Sequence, residues 1–377
     1  MGQHRLLRKA PRLNDTDISA ETQSATGGLS YERLRLTGWP PQDDVMQRTS
    51  AKLLYAVLAV GLLSSAGRGL CAQPSPEPPR FTVPVSAAGG RLTFVAYGDT
   101  RFSQHEGIAN PIARRALVER IARENPAAIL IGGDLVYEGS NPDDYRTYKN
   151  ETTAWSERRI PVFPALGNHE FRGCTEQDAT ACLENWWQAL KPLPLRPYRW
   201  YAVTIGPTLL ALLLDSTSAL RPGSEQRMWL EHEISDADPR INFIVIVMHY
   251  PPVRDPFYPS MKDEQEVERL LTAQAPALRA RVVVIGSHVH NYERYVRQGV
   301  VYVVSGGGGA KPVPAARMFG ELSKLTTAVN FHYLRFTLEG ERLTGTMVRF
   351  DAEDHGDDPW TEPDHFEIKA RDADPRH

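Results

Sequence analysis

Five short segments of the chain each end an apolar run with side chains that bind metal ions. They read YGD at residues 97–99, GDLVY at 133–137, GNHE at 167–170, VMH at 247–249 and HVH at 288–290. The candidate ligands in them are Asp99, Asp134, Tyr137, Asn168, His249, His288 and His290. Donors of these types suit hard or borderline ions, and their number exceeds the need of one ion, so the segments predict a two-metal site. Two ions about 3.5–4 Å apart activate a phosphoryl group and a water molecule together, which indicates hydrolysis of a phosphate ester.

The elements that must position these ligands can be traced from the hydrophobic pattern. Apolar, β-branched runs occupy residues 92–96, 128–131, 162–166, 209–214, 241–248, 282–285 and 300–304. Their near-continuous hydrophobicity is typical of strands buried on both faces. Helical patterns lie between several of them, at 111–124, 225–234 and 264–271. Strands alternating with helices predict an α/β fold, whose strands present functional groups at their C-terminal ends.

A hairpin is predicted near the C-terminus. Residues 333–338 and 343–350 flank the turn Glu339-Gly340-Glu341 and indicate antiparallel strands. The sheets are therefore predicted to be mixed. No further linker follows residue 80, so residues 81–370 are interpreted as one catalytic domain with a polar tail.

Length and charge exclude some classes of partner. The chain has 377 residues, 41% of them hydrophobic and 24% charged, with a net charge of −3. This length supports one large core. A nearly neutral chain is not typical of proteins that bind polyanions, so no nucleic-acid partner is expected. The oligomeric state is not indicated by the sequence.

An apolar segment near the N-terminus predicts export. Residues 53–67 carry no charge and follow Arg48 and Lys52. A signal-peptide core needs roughly 7–15 apolar residues, whereas a membrane-spanning helix needs roughly 20. We therefore predict a signal peptide at 46–72 and a Pro-rich linker at 73–80. The protein would then be periplasmic or extracellular, with no stable membrane partner after cleavage.

Residues 1–45 fit this interpretation poorly, because a signal peptide does not normally carry so long a polar extension. Met46 begins a conventional signal sequence, so residues 1–45 are interpreted as a non-native or disordered extension. The alternative is a disordered cytoplasmic tail on an uncleaved membrane anchor.

Cysteine usage agrees with export. If Cys71 leaves with the signal peptide, Cys174 and Cys182 remain, eight positions apart. In an oxidising compartment such a pair favours a disulfide that fixes the loop after the GNHE segment. The alternative is two free buried thiols.

The ordered segments resemble the calcineurin-like metallophosphoesterases and, among them, the purple acid phosphatases. GDLVY at 133–137 matches the GDxxY element of that subgroup, GNHE at 167–170 matches its GNHE element, and His249 ends a VxxH element. The stretch HVHNYER at 288–294 is close to HxHxYER. The resemblance covers about residues 92–350 and implies a four-layer α/β/β/α sandwich with mixed sheets.

The resemblance also implies a role for each ligand. Asp99, Tyr137 and His290 would hold a ferric ion, Asp134 would bridge, and Asn168, His249 and His288 would hold a divalent ion, namely iron, zinc or manganese. His169 would act beside Asp134 in catalysis, near the leaving-group oxygen, as a phosphate contact or general acid.

Tyr137 is the residue that distinguishes a resemblance to purple acid phosphatases from one to other two-metal phosphoesterases. In most two-metal phosphoesterases the first motif is D-x-H, but here Asp99 is followed by Thr100 and Arg101. Tyr137, three residues after Asp134, is where the purple subgroup supplies a phenolate in place of that His. The alternative is an aromatic packing residue in a site that lacks one ligand.

Two positions depart from the family pattern. Arg101 stands where the subgroup usually has Gly, and its guanidinium could contact phosphate or face solvent. Ser287 stands directly before His288, where the family usually has Gly. A shifted backbone would affect His288 more than His290.

The function predicted from these observations is an exported acid phosphatase that hydrolyses phosphate monoesters through a metal-bound hydroxide. One alternative is a phosphodiesterase of the same fold that uses two divalent metals. The other is a non-catalytic protein that binds a phosphorylated ligand.

Overall fold

Two β-sheets and the helices on their outer faces make up the described part of the protein. The computed structural model describes residues 77–85, 90–175, 177–191, 193–256, 258–313, 331–353 and 358–371. Its strands are β1 Arg80–Val83, β2 Arg91–Tyr97, β3 Ile129–Ile131, β4 Val162–Pro164, β5 Tyr201–Ile205, β6 Leu209–Leu213, β7 Phe243–Val247, β8 Arg281–Gly286, β9 Tyr292–Arg297, β10 Val300–Ser305, β11 Phe331–Glu339, β12 Arg342–Phe350 and β13 Trp360–Lys369. Its helices are α1 Pro111–Glu124, α2 Pro142–Glu151, α3 Thr153–Glu157, α4 Ala179–Ala189, α5 Glu225–Ser235 and α6 Gln265–Gln274.

Both sheets are mixed, as the sequence predicts. The first has the order β1-β5-β6-β7-β8-β10-β9, in which β6, β7, β8 and β10 are parallel neighbours. The second has the order β13-β12-β11-β2-β3-β4, in which β2, β3 and β4 are parallel. The hairpin of β11 and β12 joins β2 in antiparallel register, Phe336 opposite Phe94.

The central strands are apolar at every position because each face meets a different layer. In β7, Val245 packs in the cluster that contains residues of both sheets, while Ile244 and Ile246 pack against α5 and α6. Strands covered on both sides bury apolar side chains in both directions. The four-layer α/β/β/α sandwich predicted from the resemblance is therefore confirmed.

Helix α1 shows how the local sequence sets an element that supports the site. Asn110 accepts hydrogen bonds from the backbone of Ile112 and Ala113 at 3.0 Å, and Pro111 begins the helix. Asn125 ends it in the left-handed conformation. From this helix Arg114 reaches the loop after β2, where its Nη1 donates to the carbonyl oxygen of Arg101 at 3.1 Å.

The predicted extension at 1–45, the signal peptide at 46–72 and the first part of the linker lie outside the described residues. Within the described part, no helix has the length and apolar character needed to cross a bilayer.

Candidate metal centre

The five ligand segments meet where the C-terminal ends of parallel strands from both sheets come together. Asp99, Asp134 and Asn168 follow β2, β3 and β4 of the second sheet, whereas His249 and His288 follow β7 and β8 of the first. Backbone hydrogen bonds join the two sets, since Gly98 N donates to Ser305 O at 2.9 Å. Ligand atoms of Asp99, Asp134 and His249 all lie within 4.8 Å of one another, and all three residues are buried.

One part of the site is a close group around His249, which we call the His249 cluster (Asp134, Asn168, His249 and His288). The Nε2 atom of His249 lies 2.9 Å from Asn168 Oδ1, 3.2 Å from Asp134 Oδ1 and 3.2 Å from His288 Nδ1. Oxygen and nitrogen donors thus converge on one small volume. This arrangement fits a cation coordinated by mixed N and O ligands.

A backbone carbonyl fixes the tautomer of His249. Its Nδ1 lies 2.9 Å from the carbonyl oxygen of Gly132, which can only accept a hydrogen bond. The proton therefore sits on Nδ1, and Nε2 presents its lone pair to the cluster. Metal-binding histidines are oriented in this way by a partner on the far side of the ring.

The second part of the site, the His290 cluster, comprises Asp99 and His290, which lie close together, and Tyr137, which the resemblance assigns to them. His290 Nδ1 lies 2.8 Å from the carbonyl oxygen of Lys311, which leaves the lone pair of Nε2 directed inward. That Nε2 lies 3.4 Å from Asp99 Oδ1, and both atoms are buried without a hydrogen-bond partner. Buried polar atoms are almost always paired, so two facing acceptors fit an electropositive group between them.

The side chain of Tyr137 packs against Arg172 and His169. Its ring lies beneath the guanidinium of Arg172 at 4.3 Å and beside the ring of His169 at 5.2 Å. Within the described residues its hydroxyl forms no hydrogen bond. The structure thus places Tyr137 beside His169, and its role as a phenolate ligand stays a prediction.

Glu170 joins the loops that carry the ligands, a function that the sequence did not reveal. Its carboxylate accepts hydrogen bonds from Gly167 N at 2.6 Å, Asp134 N at 3.0 Å and Leu135 N at 2.8 Å. Burial and the nearby Asp134 raise the pKa of Glu170 to about 7. The only sequence signal was the fourth residue of GNHE.

Asp134 is the charged centre of the site. Burial disfavours its charged form, but His169, His249 and Arg101 outweigh that effect and hold its pKa well below the usual range. Its Oδ1 faces His249, while its Oδ2 faces Arg101 at 3.1 Å and His169 at 3.8 Å. The carboxylate is therefore shared between two sides of the site.

His169 is positioned by the loop that contains Tyr137. Its Nδ1 lies 2.5 Å from the carbonyl oxygen of Tyr137, and its backbone N donates to Asp134 Oδ1 at 3.0 Å. Burial lowers the pKa of His169 to about 4, with Asp134 opposing that shift and Arg101 adding to it. The inward Nε2 is placed to contact a ligand of the site.

Backbone strain is concentrated at these residues. Of the seven non-glycine residues with positive φ in the described part of the chain, four belong to the site: Asp99 at 57°, Arg101 at 45°, Asp134 at 52° and His288 at 66°. Such conformations persist where surrounding contacts over-determine them, and they mark functional sites.

Ser287 does not displace His288 from the site. A Cβ atom on Gly98 would lie 2.2 Å from Ser287 Oγ, so the absence of a side chain at Gly98 makes room for the serine. His288 N then donates to Asp99 Oδ2 at 2.7 Å, which links the two clusters.

The predicted bridge between Cys174 and Cys182 is also confirmed, since the two form a disulfide.

Comparison with known proteins agrees with this geometry. The sequence profile of the calcineurin-like phosphoesterases matches residues 92–292, which is more than half of the chain. The chain belongs to the calcineurin-like phosphoesterase family. The predicted family is thereby confirmed.

Among its relatives, this calcineurin-like phosphoesterase is similar to purple acid phosphatases. It is 24% identical over 212 residues to "Probable purple acid phosphatase 20" of Arabidopsis thaliana, which covers 52% of this chain and 48% of that protein. The purple acid phosphatase PPD1 of yellow lupin (Lupinus luteus) seeds superposes with a TM-score of 0.59 at 18% identity, covering 74% of this chain and 54% of the lupin chain. The chain thus spans about half the length of these two relatives.

Two shorter solved structures share the fold. GAP50, "the anchor in the inner membrane complex of Plasmodium", has a TM-score of 0.54 at 16% identity, covering 74% of this chain and 89% of its own. A dimetal phosphatase from Danio rerio has a TM-score of 0.51 at 15% identity, covering 74% of this chain and 99% of its own. At such identities the likeness shows the fold alone.

Proposed function

We propose that this protein hydrolyses phosphate monoesters with two bound metal ions, in the manner of purple acid phosphatases. The observation that carries the proposal is the convergence of Asp134, Asn168, His249 and His288 donor atoms within 3.2 Å of His249 Nε2, next to a second set with unpaired buried donors. Clusters of this kind at strand ends are typical of catalytic two-metal sites.

The donor chemistry supports an assignment of the ions. The His249 cluster would hold a divalent ion through two imidazoles, an amide and a carboxylate. The His290 cluster would hold Fe(III), because a phenolate and a carboxylate are hard donors. Asp134 would serve both ions. When bound, the two ions supply Lewis-acid activation of the phosphoryl group and of water.

The chain's own residues then bind and orient the substrate. His169 is fully positioned by Tyr137 and Asp134, and its Nε2 faces the site. We assign it the contact with the leaving-group oxygen of the ester. Glu170 holds the loops that carry Asp134 and Asn168 in a single arrangement, so that the substrate meets prearranged donors.

The test is metal analysis, visible absorption and assay of the purified protein against phosphomonoesters and phosphodiesters. We expect two ions per chain, iron among them, colour from phenolate ligation, and faster hydrolysis of monoesters. Asp134→Ala should abolish hydrolysis, whereas Asp238→Ala, in an exposed pair with Arg240, should leave it unchanged.

Other results would support the rival functions. An active, colourless and iron-free protein that prefers diesters would indicate a phosphodiesterase with two divalent metals. Phosphate binding without hydrolysis of any ester would indicate a non-catalytic binding protein.

We also propose that the protein is exported, with a signal peptide at 46–72, a linker at 73–80 and a catalytic domain at 81–370. The disulfide between Cys174 and Cys182 supports this, because such bonds persist in oxidising compartments. N-terminal sequencing of the mature protein tests it. A mature chain that still begins before residue 46 would contradict the proposed cleavage.

A further inference from the structure

The backbone of Arg101 is held in place from two sides. Its N donates to the carbonyl oxygen of Asp134 at 2.9 Å, and its own carbonyl oxygen accepts from Arg114 Nη1 at 3.1 Å. These contacts maintain a φ of 45°, in a region that disfavours residues with a side chain. A glycine would adopt this conformation without strain, so an arginine here needs another explanation.

The side chain of Arg101 points into the site. Nη2 and Nε donate to Asp134 Oδ2 at 3.1 and 3.4 Å, and His169 Nε2 lies 3.8 Å from the same oxygen. The guanidinium and the imidazole thus flank one carboxylate oxygen. Only 15% of the Arg101 side chain is exposed.

The guanidinium of Arg101 has fewer hydrogen-bond partners than that of Arg114, an arginine with a structural role. In Arg114, Nε, Nη1 and Nη2 all donate to protein acceptors, and 3% of the side chain is exposed. In Arg101, Nη1 donates to no acceptor within the described residues and is not among their buried unpaired atoms. One edge of the guanidinium is therefore anchored on Asp134, while Nη1 keeps its donors free of protein acceptors among the described residues.

We propose that Arg101 is a phosphate-binding residue that selects terminal phosphoryl groups, with its Nη1 end donating to a non-bridging phosphate oxygen. This inference rests on the proposed function and names the substrate class of that site. A guanidinium fits phosphate as a two-pronged donor. A monoester carries up to two negative charges near neutral pH and a diester one, so an added fixed cation favours the monoester.

The deciding variant is Arg101→Gly, because glycine suits the backbone at this position. Binding of inorganic phosphate to the metal-containing protein is measured by calorimetry, together with kcat/KM for p-nitrophenyl phosphate and bis(p-nitrophenyl) phosphate. We expect phosphate affinity and kcat/KM for the monoester to fall about tenfold or more, as for a lost charge-assisted hydrogen bond. Hydrolysis of the diester should fall less than about threefold. Metal content should be unchanged.

Two further variants control for charge and folding. Arg101→Lys keeps the charge but loses the planar fork, so phosphate affinity should lie between those of the wild type and Arg101→Gly. Arg335→Ala removes an arginine of similar exposure, 23%, that pairs with Glu124 and Glu362. Its phosphate affinity should equal that of the wild type.

Two results would overturn the inference. In one, Arg101→Gly binds phosphate within twofold of the wild type. In the other, metal is lost and both esters slow by the same factor, since Arg101 would then act only by holding Asp134. If the wild type hydrolyses neither ester, the proposed function fails, while the phosphate titration still decides the role of Arg101.

Discussion

In the His249 cluster three donor atoms surround one nitrogen atom, whereas in the His290 cluster two buried donor atoms face each other without hydrogen bonds. In the first, three donor atoms lie within 3.2 Å of His249 Nε2. In the second, Asp99 Oδ1 and His290 Nε2 are 3.4 Å apart and unpaired, and the ring of Tyr137 packs against Arg172 and His169.

The difference follows from where the donors are attached. Members of the His249 cluster lie directly after strands of both sheets, and Glu170 ties two of their loops together. Tyr137 lies further along its loop, beyond the segment that Glu170 anchors. Asp99 and His290 also lie close behind strands β2 and β8, so only Tyr137 depends on the course of the loop after β3.

The largest effect is expected on removing the centre of the His249 cluster. His249→Ala deletes the atom around which the other three donors converge, so at least one metal ion should be lost. We expect kcat/KM to fall about 10³-fold, equivalent to about 4 kcal/mol of transition-state stabilisation. Metal analysis and kinetics measure both. His232→Ala, in an exposed pair with Asp236, is the control and should keep wild-type metal content.

Glu170→Gln tests what holds the His249 cluster together. An amide offers one acceptor oxygen where the carboxylate offers two, and its NH₂ group faces backbone donors. The free energy of unfolding should fall by about 2–3 kcal/mol, measured by urea denaturation, and metal should dissociate faster. Glu233→Gln weakens a partly buried pair with Arg80 elsewhere and should lower stability without changing metal dissociation. Equal metal dissociation in both variants would contradict the assigned role.

Tyr137→Phe tests what the phenol oxygen contributes to the His290 cluster. The ring keeps its contact with Arg172, so the fold should be retained while the phenol oxygen is lost. We expect the visible absorption to disappear and activity to fall on the order of tenfold or more. Unchanged colour and activity would instead identify Tyr137 as a packing residue.

Ser287→Gly should have the smallest effect. It restores the residue usual in the family, removes the contact of Ser287 Oγ with Ser305 O at 3.3 Å and leaves a small void beside Gly98. Stability should change by about 1 kcal/mol or less, with metal content unchanged. A loss of metal would show that Ser287 helps to position His288.

Most apolar strands and the amphipathic helices α1, α5 and α6 were predictable, whereas strands β1 and β5 and helices α2, α3 and α4 were not. The pattern at 111–124 gave α1 with its observed bounds, because its caps and its apolar stripe are local signals. Strands β9 and β13 were missed, since both alternate charged and apolar residues. Glu293 in β9 is buried only because Tyr295 and the backbone of Asp255 donate to it, at 2.6 and 2.7 Å. Such pairing depends on tertiary contacts that a local pattern does not contain.

In the site, the ligands could be predicted from the sequence, whereas the contacts that hold them in place could not. The ligand segments were visible because strand ends and donor types can be read along the chain. The anchoring of Arg101 on Asp134 could not be foreseen, because it needs a left-handed backbone at Arg101 and a loop 33 residues away. The use of Glu170 as a common acceptor likewise depends on three loops meeting in space.

The disulfide between Cys174 and Cys182 has a practical consequence for anyone who makes this protein. Closing so short a loop restricts the unfolded chain by roughly 2–3 kcal/mol in the chain-entropy description. The loop begins three residues after the short helix His169–Phe171 and runs into α4. A reducing bacterial cytosol would withhold that bond, so recombinant material is best directed to an oxidising compartment and handled without thiol reagents.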